Sequence, residues 1–159
     1  NEFWLTPAIK NPNGSYTANP AITFFNTANL ESIVAQTYCY TRRYGLYNCR
    51  TTGGGVIFKW PFVTAGAYKV VLSYFSHNQA GIFDVTYGNQ LLEKDLVTAH
   101  YYNQRMLLNV VKELGTIHVA SDGSVEIVFT CSNVLNNPSG QEDSFKIGVD
   151  YLLLQPVSD

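Results

Sequence analysis

Short runs of β-branched and aromatic residues, many alternating with polar ones, recur along the sequence, whereas the 3.6-residue period of an amphipathic helix is scarce. Turn-forming residues separate these runs. The pattern predicts an all-β chain that folds as an antiparallel sandwich or barrel of about eight to ten strands. The candidate strands are Ala21–Phe25, Ile33–Tyr40, Val56–Val63, Ala67–Phe75, Ile82–Tyr87, Gln90–Leu96, Met106–Val111, Thr116–Ala120, Val125–Cys131 and Phe145–Leu154.

The segments between the strands indicate how the chain is organised. Gly88-Asn89 predicts a two-residue hairpin loop, and Asp122-Gly123 predicts a type I′ turn, which needs a positive φ at both central residues. Residues 1–20 are rich in proline and asparagine and predict an irregular arm with turns. Residues 21–159 are expected to form a single domain, since domains usually contain roughly 100–200 residues. The only methionine, Met106, is internal, so we expect a fragment of a longer chain.

Composition and charge exclude several classes of protein. Apolar residues make up 46% of the chain and charged residues 14%, so the chain can form a core and is not expected to be disordered. No apolar run approaches the roughly 18 residues of a membrane span, and no signal peptide is recognised. Residues 32–83 carry five basic residues and no acidic one, whereas residues 84–159 carry ten acidic and four basic residues. This asymmetry indicates an anion-binding patch or complementary subunits, unless the fold interleaves the two segments and blurs the contrast.

The three cysteines favour a chain made in a reducing cytosol. Cys131 ends an apolar run and is expected to be a buried, small hydrophobic residue. Cys39 and Cys49 flank a loop rich in tyrosine and arginine, where a short disulfide is the alternative to two free thiols. An odd number of cysteines without metal-ligand spacing argues against a disulfide scaffold and against a zinc site. We therefore expect reduced thiols.

Several stretches of the sequence resemble known families. Residues 53–63 and 65–70 resemble the glycine, strand and aGxYxv opening of jelly-roll carbohydrate-binding-like domains, and residues 81–89 resemble their GxFdVxvdG hairpin. Residues 127–154, with an asparagine-rich loop and a final strand of the lGlDYieL type, are similar to the terminal domains of phage tail spikes and appendages. The resemblance covers roughly residues 53–154 and implies a jelly-roll sandwich.

The phage resemblance points to the C-terminal domain of the pre-neck appendage of small short-tailed phages of Gram-positive hosts. It implies a homotrimer with its own chain, contact with the remainder of the spike, and release by self-cleavage. It also implies a place in the virion tail after synthesis in the host cytoplasm, and binding of ATP, for which no motif here identifies a site. If the chain is cut before Asn1, then Asn1 and Glu2 flank the scissile bond, and Glu2 is the candidate acid or base.

Catalytic turnover on an external substrate is not predicted. His77, His100 and His118 are isolated, and none belongs to a local serine or cysteine nucleophile motif. Asp84 and Asp95 are candidates for a carboxylate pair of the glycosidase type, but residues near hairpin ends are more often turn or surface groups. We expect no metal ion, and no cofactor other than the ATP that the resemblance implies.

Two clusters of tyrosine and arginine are the main candidates for a binding surface. Arginine grips phosphate in a bidentate manner, and tyrosine rings stack on sugars or bases. The predicted binding residues are Tyr38, Tyr40, Arg42, Arg43, Tyr44, Tyr47 and Arg50 in the first cluster and Tyr101, Tyr102 and Arg105 in the second. The alternative is that the tyrosines fill the sandwich or a trimer interface and the arginines pair with acidic residues of a neighbouring subunit.

Two functions are consistent with these observations. The first is an assembly and maturation module of a viral tail spike, which promotes trimerisation and is released by self-cleavage. The alternative is a non-catalytic module that binds carbohydrate on a host surface, such as a cell-wall glycan or a teichoic-acid-like polymer. Neither a membrane nor a nucleic acid is an expected partner.

Overall fold

The structure is a computed structural model that describes residues 9–10, 16–17, 21–35, 43–76, 80–98, 107–134 and 145–157. Every regular element in these ranges is a β-strand. Within the same ranges there is no helix with the length and apolar character needed to cross a membrane. The strands of the described ranges are β1 (Ile9–Lys10), β2 (Tyr16–Thr17), β3 (Ala21–Phe25), β4 (Asn29–Ala35), β5 (Arg43–Asn48), β6 (Gly55–Val63), β7 (Gly66–Ser76), β8 (Gly81–Tyr87), β9 (Gln90–Val97), β10 (Leu107–Val119), β11 (Gly123–Val134) and β12 (Lys146–Pro156).

The strands form two antiparallel sheets. Sheet B has the strand order β3-β6-β11-β8-β9, and the main body of sheet A has the order β4-β5-β12-β7-β10. Strands β1 and β2 pair with each other within the predicted arm and extend sheet A beside β12, where Tyr16 is opposite Leu154. Neighbours such as β6 and β11, or β7 and β12, are distant in sequence, as in a jelly roll rather than a meander. The predicted all-β jelly-roll sandwich is confirmed.

The core lies between the sheets and is built from every second residue of the strands. In β6, Val56, Phe58 and Trp60 are fully buried, whereas Lys59 is exposed. Phe58 packs edge-to-face on Phe129 of the neighbouring strand, with ring centroids 5.4 Å apart. Burying an aromatic side chain of this kind contributes about 1.5–3 kcal/mol to stability, so this alternation decides which face of each strand is internal.

A β-bulge in β10 changes which of its residues face the core. The register with β7 skips Leu114, and from Ile117 onward the buried residues fall on odd positions. Gly115, within the bulge, has a φ of 144°, a conformation that favours glycine. The sequence predicted two strands here, Met106–Val111 and Thr116–Ala120, and the structure has one. The bulge interrupts the alternation of side chains without ending the pairing.

Strand β5 was not predicted, since its sequence was interpreted as part of a tyrosine- and arginine-rich loop. It pairs with β4 on one side and with β12 on the other, inside sheet A. Gly45 interrupts the pattern of bulky strand residues, and it is required because a Cβ at this position would collide with the Tyr47 ring. The predicted strand Ile33–Tyr40 is replaced by β4, which begins four residues earlier, at Asn29.

The two predicted hairpin turns had different outcomes. Gly88-Asn89 is confirmed as a two-residue loop, because Tyr87 pairs with Gln90, and the positive φ of 57° at Gly88 alone fits a type II′ turn. Asp122-Gly123 is not a type I′ turn, since neither residue has a positive φ and β11 begins only after a three-residue connection. The Asp122 carboxylate instead accepts a 2.7 Å hydrogen bond from the backbone N–H of Ala65. This bond joins two adjacent turns.

The two oppositely charged segments of the sequence are interleaved in the fold. Lys59 of β6 lies 3.9 Å from Glu126 of β11, so a basic-segment strand pairs with an acidic-segment strand in sheet B. In sheet A, β7 of the basic segment pairs with β10 and β12 of the acidic segment. Of the alternatives for the charge asymmetry, interleaving is the one that the described strands display.

Cys49 and Cys131 are free, fully buried thiols that lie next to the same turn. Within this turn, Thr51 donates its N–H to the Cys49 carbonyl and Gly53 donates its N–H to the Cys131 carbonyl, both at 2.8 Å. Burial raises the pKa of Cys49 to about 12, and the nearby Cys131 adds to the shift. The expected burial of Cys131 is confirmed. Cys49 forms no disulfide, and Cys39 lies outside the described residues.

Candidate functional site

Tyr47, one of the predicted binding residues, lies in the core. Its side chain is 1% exposed, and its ring packs edge-to-face on Phe58 with a centroid distance of 5.8 Å. Burial also raises the pKa of its hydroxyl. A ring enclosed in this way cannot stack on a ligand, so the prediction that Tyr47 binds a ligand is wrong. Tyr47 fills the sandwich, which was the alternative considered for the tyrosines.

Arg50 is exposed and forms hydrogen bonds with two asparagines of sheet A. It has a φ of 66°, and its backbone N–H donates to Asn48 Oδ1 at 3.0 Å. Its Nε donates to Asn29 Oδ1 at 3.2 Å, which connects the guanidinium to the start of β4. The role of Arg50 in binding an anion stays a prediction.

The other predicted site residues have roles that the structure does not test. Arg43 and Tyr44 are the first two residues of β5. The rest lie outside the described residues: Asn1, Glu2, Tyr38, Tyr40, Arg42, Tyr101, Tyr102 and Arg105. Self-cleavage and ligand binding by these residues stay predictions.

An open cleft with a volume of about 670 Å³ lies where the β8–β9 hairpin meets β11 on the outer face of sheet B. Ser124 and Glu126 are exposed on this face because they alternate with the buried core residues of β11. The residues that line this cleft, here called the hairpin cleft, are Tyr87, Gly88, Asn89, Gln90, Ser124 and Glu126. They combine one aromatic ring with amide, hydroxyl and carboxylate groups.

Two exposed apolar side chains flank the hairpin cleft. Phe62 is 58% exposed and lies in a bulge of β6 opposite Ser124, where the register shifts between Gly123 and Val125. Leu91 is 51% exposed and follows directly on Gln90. A large apolar side chain held in water at the edge of a polar cleft is typical of a binding surface.

The β8–β9 hairpin is fixed to the opposite sheet. Gln90 Nε2 donates a 2.9 Å hydrogen bond to the backbone carbonyl of Thr116, and Lys112 forms a 3.5 Å ion pair with Glu93. Thr116 and Lys112 belong to β10 of sheet A, whereas Gln90 and Glu93 belong to β9 of sheet B. These two contacts hold one wall of the cleft in place, which lowers the entropy cost of binding.

Glu126 is the acidic residue of the hairpin cleft. Its Oε2 atom lies 3.9 Å from Lys59 Nζ, and both side chains are about half exposed. An exposed ion pair of this length contributes little to stability, about 0–1 kcal/mol. Glu126 can therefore exchange Lys59 for a ligand hydroxyl at small cost.

Asp84 and Asp95, the carboxylates considered as a catalytic pair, meet at a bulge of β9. The backbone N–H of Asp95 donates to Asp84 Oδ1 at 2.9 Å, and Ser132 Oγ donates to Asp95 Oδ1 at 3.1 Å. Asp95 has a φ of 54°, a left-handed conformation that costs a non-glycine residue about 1 kcal/mol or more. These bonds secure the bulge, as expected for turn and surface groups.

The residues of the hairpin cleft do not stand out in the sequence. Tyr87 to Gln90 were recognised only as a hairpin, and Ser124 and Glu126 only as parts of a strand and its turn. The one available signal was the Trp60-Pro61-Phe62 run, where three large residues in succession do not fit a regular alternation. The cleft itself depends on strand pairing between segments more than thirty residues apart.

No protein-family model and no curated protein matches the chain. Solved structures do match. A Paenibacillus xanthan lyase is similar over 96% of this chain and 14% of its own, with 17% identity and a TM-score of 0.70. The Podospora anserina GH26-CBM35 β-(1,4)-mannanase is similar over 92% of this chain and 28% of its own, with 14% identity and a TM-score of 0.56.

The insecticidal crystal protein Cry2Aa is similar over 94% of this chain and 22% of its own, with 9% identity and a TM-score of 0.56. The chain thus spans only a seventh to just over a quarter of these larger proteins. At such low identity the similarity extends to the fold alone. The fold is a β-sandwich that occurs as one part of larger proteins.

Proposed function

We propose that this chain is a non-catalytic carbohydrate-binding module and that the hairpin cleft is its binding site. The observation that carries the proposal is the hairpin cleft itself, an open surface with polar groups along it and an exposed phenylalanine at its edge. Sugars are amphipathic in the same way, since their C–H faces pack on aromatic rings while their hydroxyls need hydrogen-bond partners.

Each part of the cleft has a role in this proposal. Phe62 supplies an apolar platform for a sugar ring, whereas Tyr87 lines the cleft but is half-buried and packs against the core. Asn89 and Ser124 offer both donors and acceptors, and Glu126 accepts hydrogen bonds from sugar hydroxyls. Because a shallow cleft buries little of its ligand, we expect weak binding to single sugars and measurable binding to polymers.

The structural comparisons support this proposal at the level of the fold. The mannanase carries a carbohydrate-binding module in its name, and the similarity spans a share of its chain that suits one module. The names of the mannanase and of the xanthan lyase both refer to enzymes that act on polysaccharides. A sandwich attached to such enzymes is suited to holding a polymer near another domain.

The test compares two exposed apolar residues on opposite sheets. Phe62 and Val111 are 58% and 57% exposed, but Phe62 borders the cleft on sheet B and Val111 lies in β10 of sheet A. Affinity gel electrophoresis with a panel of polysaccharides measures binding of each variant. We expect Phe62→Ala to weaken binding by roughly tenfold, the effect of losing one face of a stacked ring.

Val111→Ala should leave the same retardation unchanged. If no polysaccharide retards the native protein, the carbohydrate-binding function is wrong. If both variants retain full binding, or Val111→Ala alone loses it, carbohydrate binding takes place elsewhere and the hairpin cleft is not the site.

The tail-spike assembly function stays a prediction. Trimerisation, self-cleavage and ATP binding rest on a family resemblance and on residues that include Asn1 and Glu2, outside the described ranges. Light scattering of the chain in solution, with and without ATP, tests this function separately. A mass near that of three chains would support it, and a monomer would argue against it.

A further inference from the structure

The described strands of sheet B, which carries the hairpin cleft, have a net negative charge. The described strands of sheet B contain four acidic residues, two lysines and no arginine. They are Asp84, Glu93, Asp95 and Glu126 on the acidic side and Lys59 and Lys94 on the basic side. Glu93 is engaged with Lys112 of the other sheet, while Asp84, Asp95 and Glu126 lie on strands β8, β9 and β11 beside one another.

The described residues that line the cleft include no lysine or arginine. Glu126 is the only charged side chain among the described residues that line it. The ammonium of Lys59 is near, but it lies 3.9 Å from the Glu126 carboxylate and is paired with it. A site for an acidic sugar would instead present arginine or lysine, because a bidentate guanidinium is the usual partner of a carboxylate or phosphate.

We propose that the hairpin cleft binds uncharged polysaccharide chains and discriminates against acidic ones, an inference that rests on the proposed carbohydrate-binding function. Neutral sugar hydroxyls donate to Glu126 and exchange hydrogen bonds with Asn89 and Ser124. A uronate or phosphate group in the same place would face the Glu126 carboxylate across a site without a cation of its own, and like charges repel.

Sheet A carries basic residues that could bind an acidic polymer independently of the hairpin cleft. Lys69, Lys112 and Lys146 are on sheet A, and Arg50 follows β5 of the same sheet. Two of these cations are already in ion pairs, Lys112 with Glu93 and Lys146 with Glu31. The chemistry of the hairpin cleft therefore favours a neutral polymer, and sheet A is where an acidic polymer would bind.

The experiment is affinity gel electrophoresis of the native chain with neutral polymers (mannan, xylan and β-1,3-glucan) and acidic ones (polygalacturonate and alginate). Each gel is run at low and at high sodium chloride, spanning roughly 0.02–0.5 M, because salt screens charge attraction strongly over this range. We expect retardation by at least one neutral polymer, equal at both salt concentrations, and much weaker retardation by the acidic polymers.

Two variants locate the effect. Glu126→Gln removes the repelling charge and releases Lys59, so retardation by polygalacturonate at low salt should increase by about fivefold or more, the effect of one unit charge about 4 Å away in water. Glu113→Gln is the matched control, because Glu113 is an exposed glutamate of β10 on sheet A. Its effect on retardation by polygalacturonate should be clearly smaller than that of Glu126→Gln.

The outcomes separate the two proposals. Retardation by acidic polymers that equals or exceeds that by neutral ones overturns the neutral preference while carbohydrate binding stands. Loss of such acidic binding in Arg50→Ala would assign it to sheet A. Equal gains in Glu126→Gln and Glu113→Gln would show that net charge, and not the cleft, sets the preference. No retardation by any polymer would overturn carbohydrate binding itself.

Discussion

The described strands of sheet A carry five basic and three acidic residues, whereas those of sheet B carry two basic and four acidic residues. The basic and acidic segments of the sequence are distributed over both sheets. The folded chain keeps a smaller difference in charge, between sheet A and sheet B. Sheet A uses Lys146 and Lys112 in ion pairs, and sheet B leaves an aromatic ring, Phe62, exposed beside a cleft. One core therefore presents two surfaces with opposite charge balance.

The largest expected effect comes from a substitution in the core that both sheets share. Phe58→Ala should lower the free energy of unfolding by about 3–5 kcal/mol, because the buried ring contacts Tyr47 and Phe129 and leaves a cavity. Urea denaturation measures the loss. Phe62→Ala is the control in the same strand and should cost less than about 1 kcal/mol, since that ring is exposed. Equal losses would contradict the placement of the two rings.

The free energy of unfolding should fall at alkaline pH because of the buried Cys49 thiol, which lies between the two sheets. Cys49 follows β5 of sheet A and Cys131 belongs to β11 of sheet B. The Cys49 pKa is raised to about 12 in the folded chain, so between roughly pH 9 and 12 the unfolded chain loses a proton that the folded chain retains. Stability is full below pH 9 and falls by up to about 1.4 kcal/mol for each pH unit above it.

Urea titrations at pH 8 and pH 10 measure this slope. Cys49→Ala is the reference variant, because it lacks the titrating thiol and should lose less stability between these two pH values. An identical decrease in native and variant chains would assign the alkaline transition to another group. In the folded chain at pH 8, neither Cys49 nor Cys131 should react with a thiol reagent, since both are fully buried.

A substitution in β10 of sheet A tests whether the stability of this sheet affects binding at the hairpin cleft of sheet B. Gly115→Ala places a Cβ at a φ of 144° and should cost about 1–2 kcal/mol, while the nearest atom, Leu92 Cδ2 at 3.5 Å, leaves room for it. Gly123→Ala is the control, because Gly123 has no positive φ and a Cβ there would meet no atom closer than 4.0 Å. Polysaccharide binding by folded Gly115→Ala should be unchanged, and a loss would couple the bulge to the cleft.

The smallest effect concerns the link between the hairpin and sheet A. Gln90→Ala removes the hydrogen bond to the Thr116 carbonyl and should cost no more than about 1 kcal/mol of stability. It should still weaken polysaccharide binding by a few-fold, because one wall of the cleft is no longer fixed. Gln155→Ala, an exposed glutamine of β12, should affect neither property. Unchanged binding in Gln90→Ala would show that the cleft does not depend on this bond.

The fold was predictable from sequence wherever one period governs a strand. The predicted bounds of β6, β8 and β11 lie within three residues of the observed ones, because their alternation follows burial over most of each strand. Prediction failed at β5, where Gly45 makes room for a tyrosine ring, and at β10, where a bulge reverses the alternation. Both failures arise from contacts between strands that local sequence does not contain.

The candidate site was far less predictable than the fold. Tyr47 resembles its neighbouring tyrosines in sequence, and only the packing of the two sheets places it in the core. Phe62, by contrast, stands two residues from the buried Trp60 and is exposed because a bulge turns it outward. A hydrophobic pattern identifies apolar residues, but the direction in which each one points is decided by strand register.

The position of β12 has a consequence for how the protein folds. This strand, the last in the described sequence, lies inside sheet A and pairs with β5, β2 and β7. Sheet A is therefore incomplete until residues 146–156 have been synthesised, and its contacts join segments far apart in the chain. Such long-range topology slows folding, and a nascent chain that lacks β12 exposes unpaired edges of β5 and β7. We expect sheet A to form only after β12 has been synthesised, and a chain that stops before β12 to aggregate more readily than the native chain.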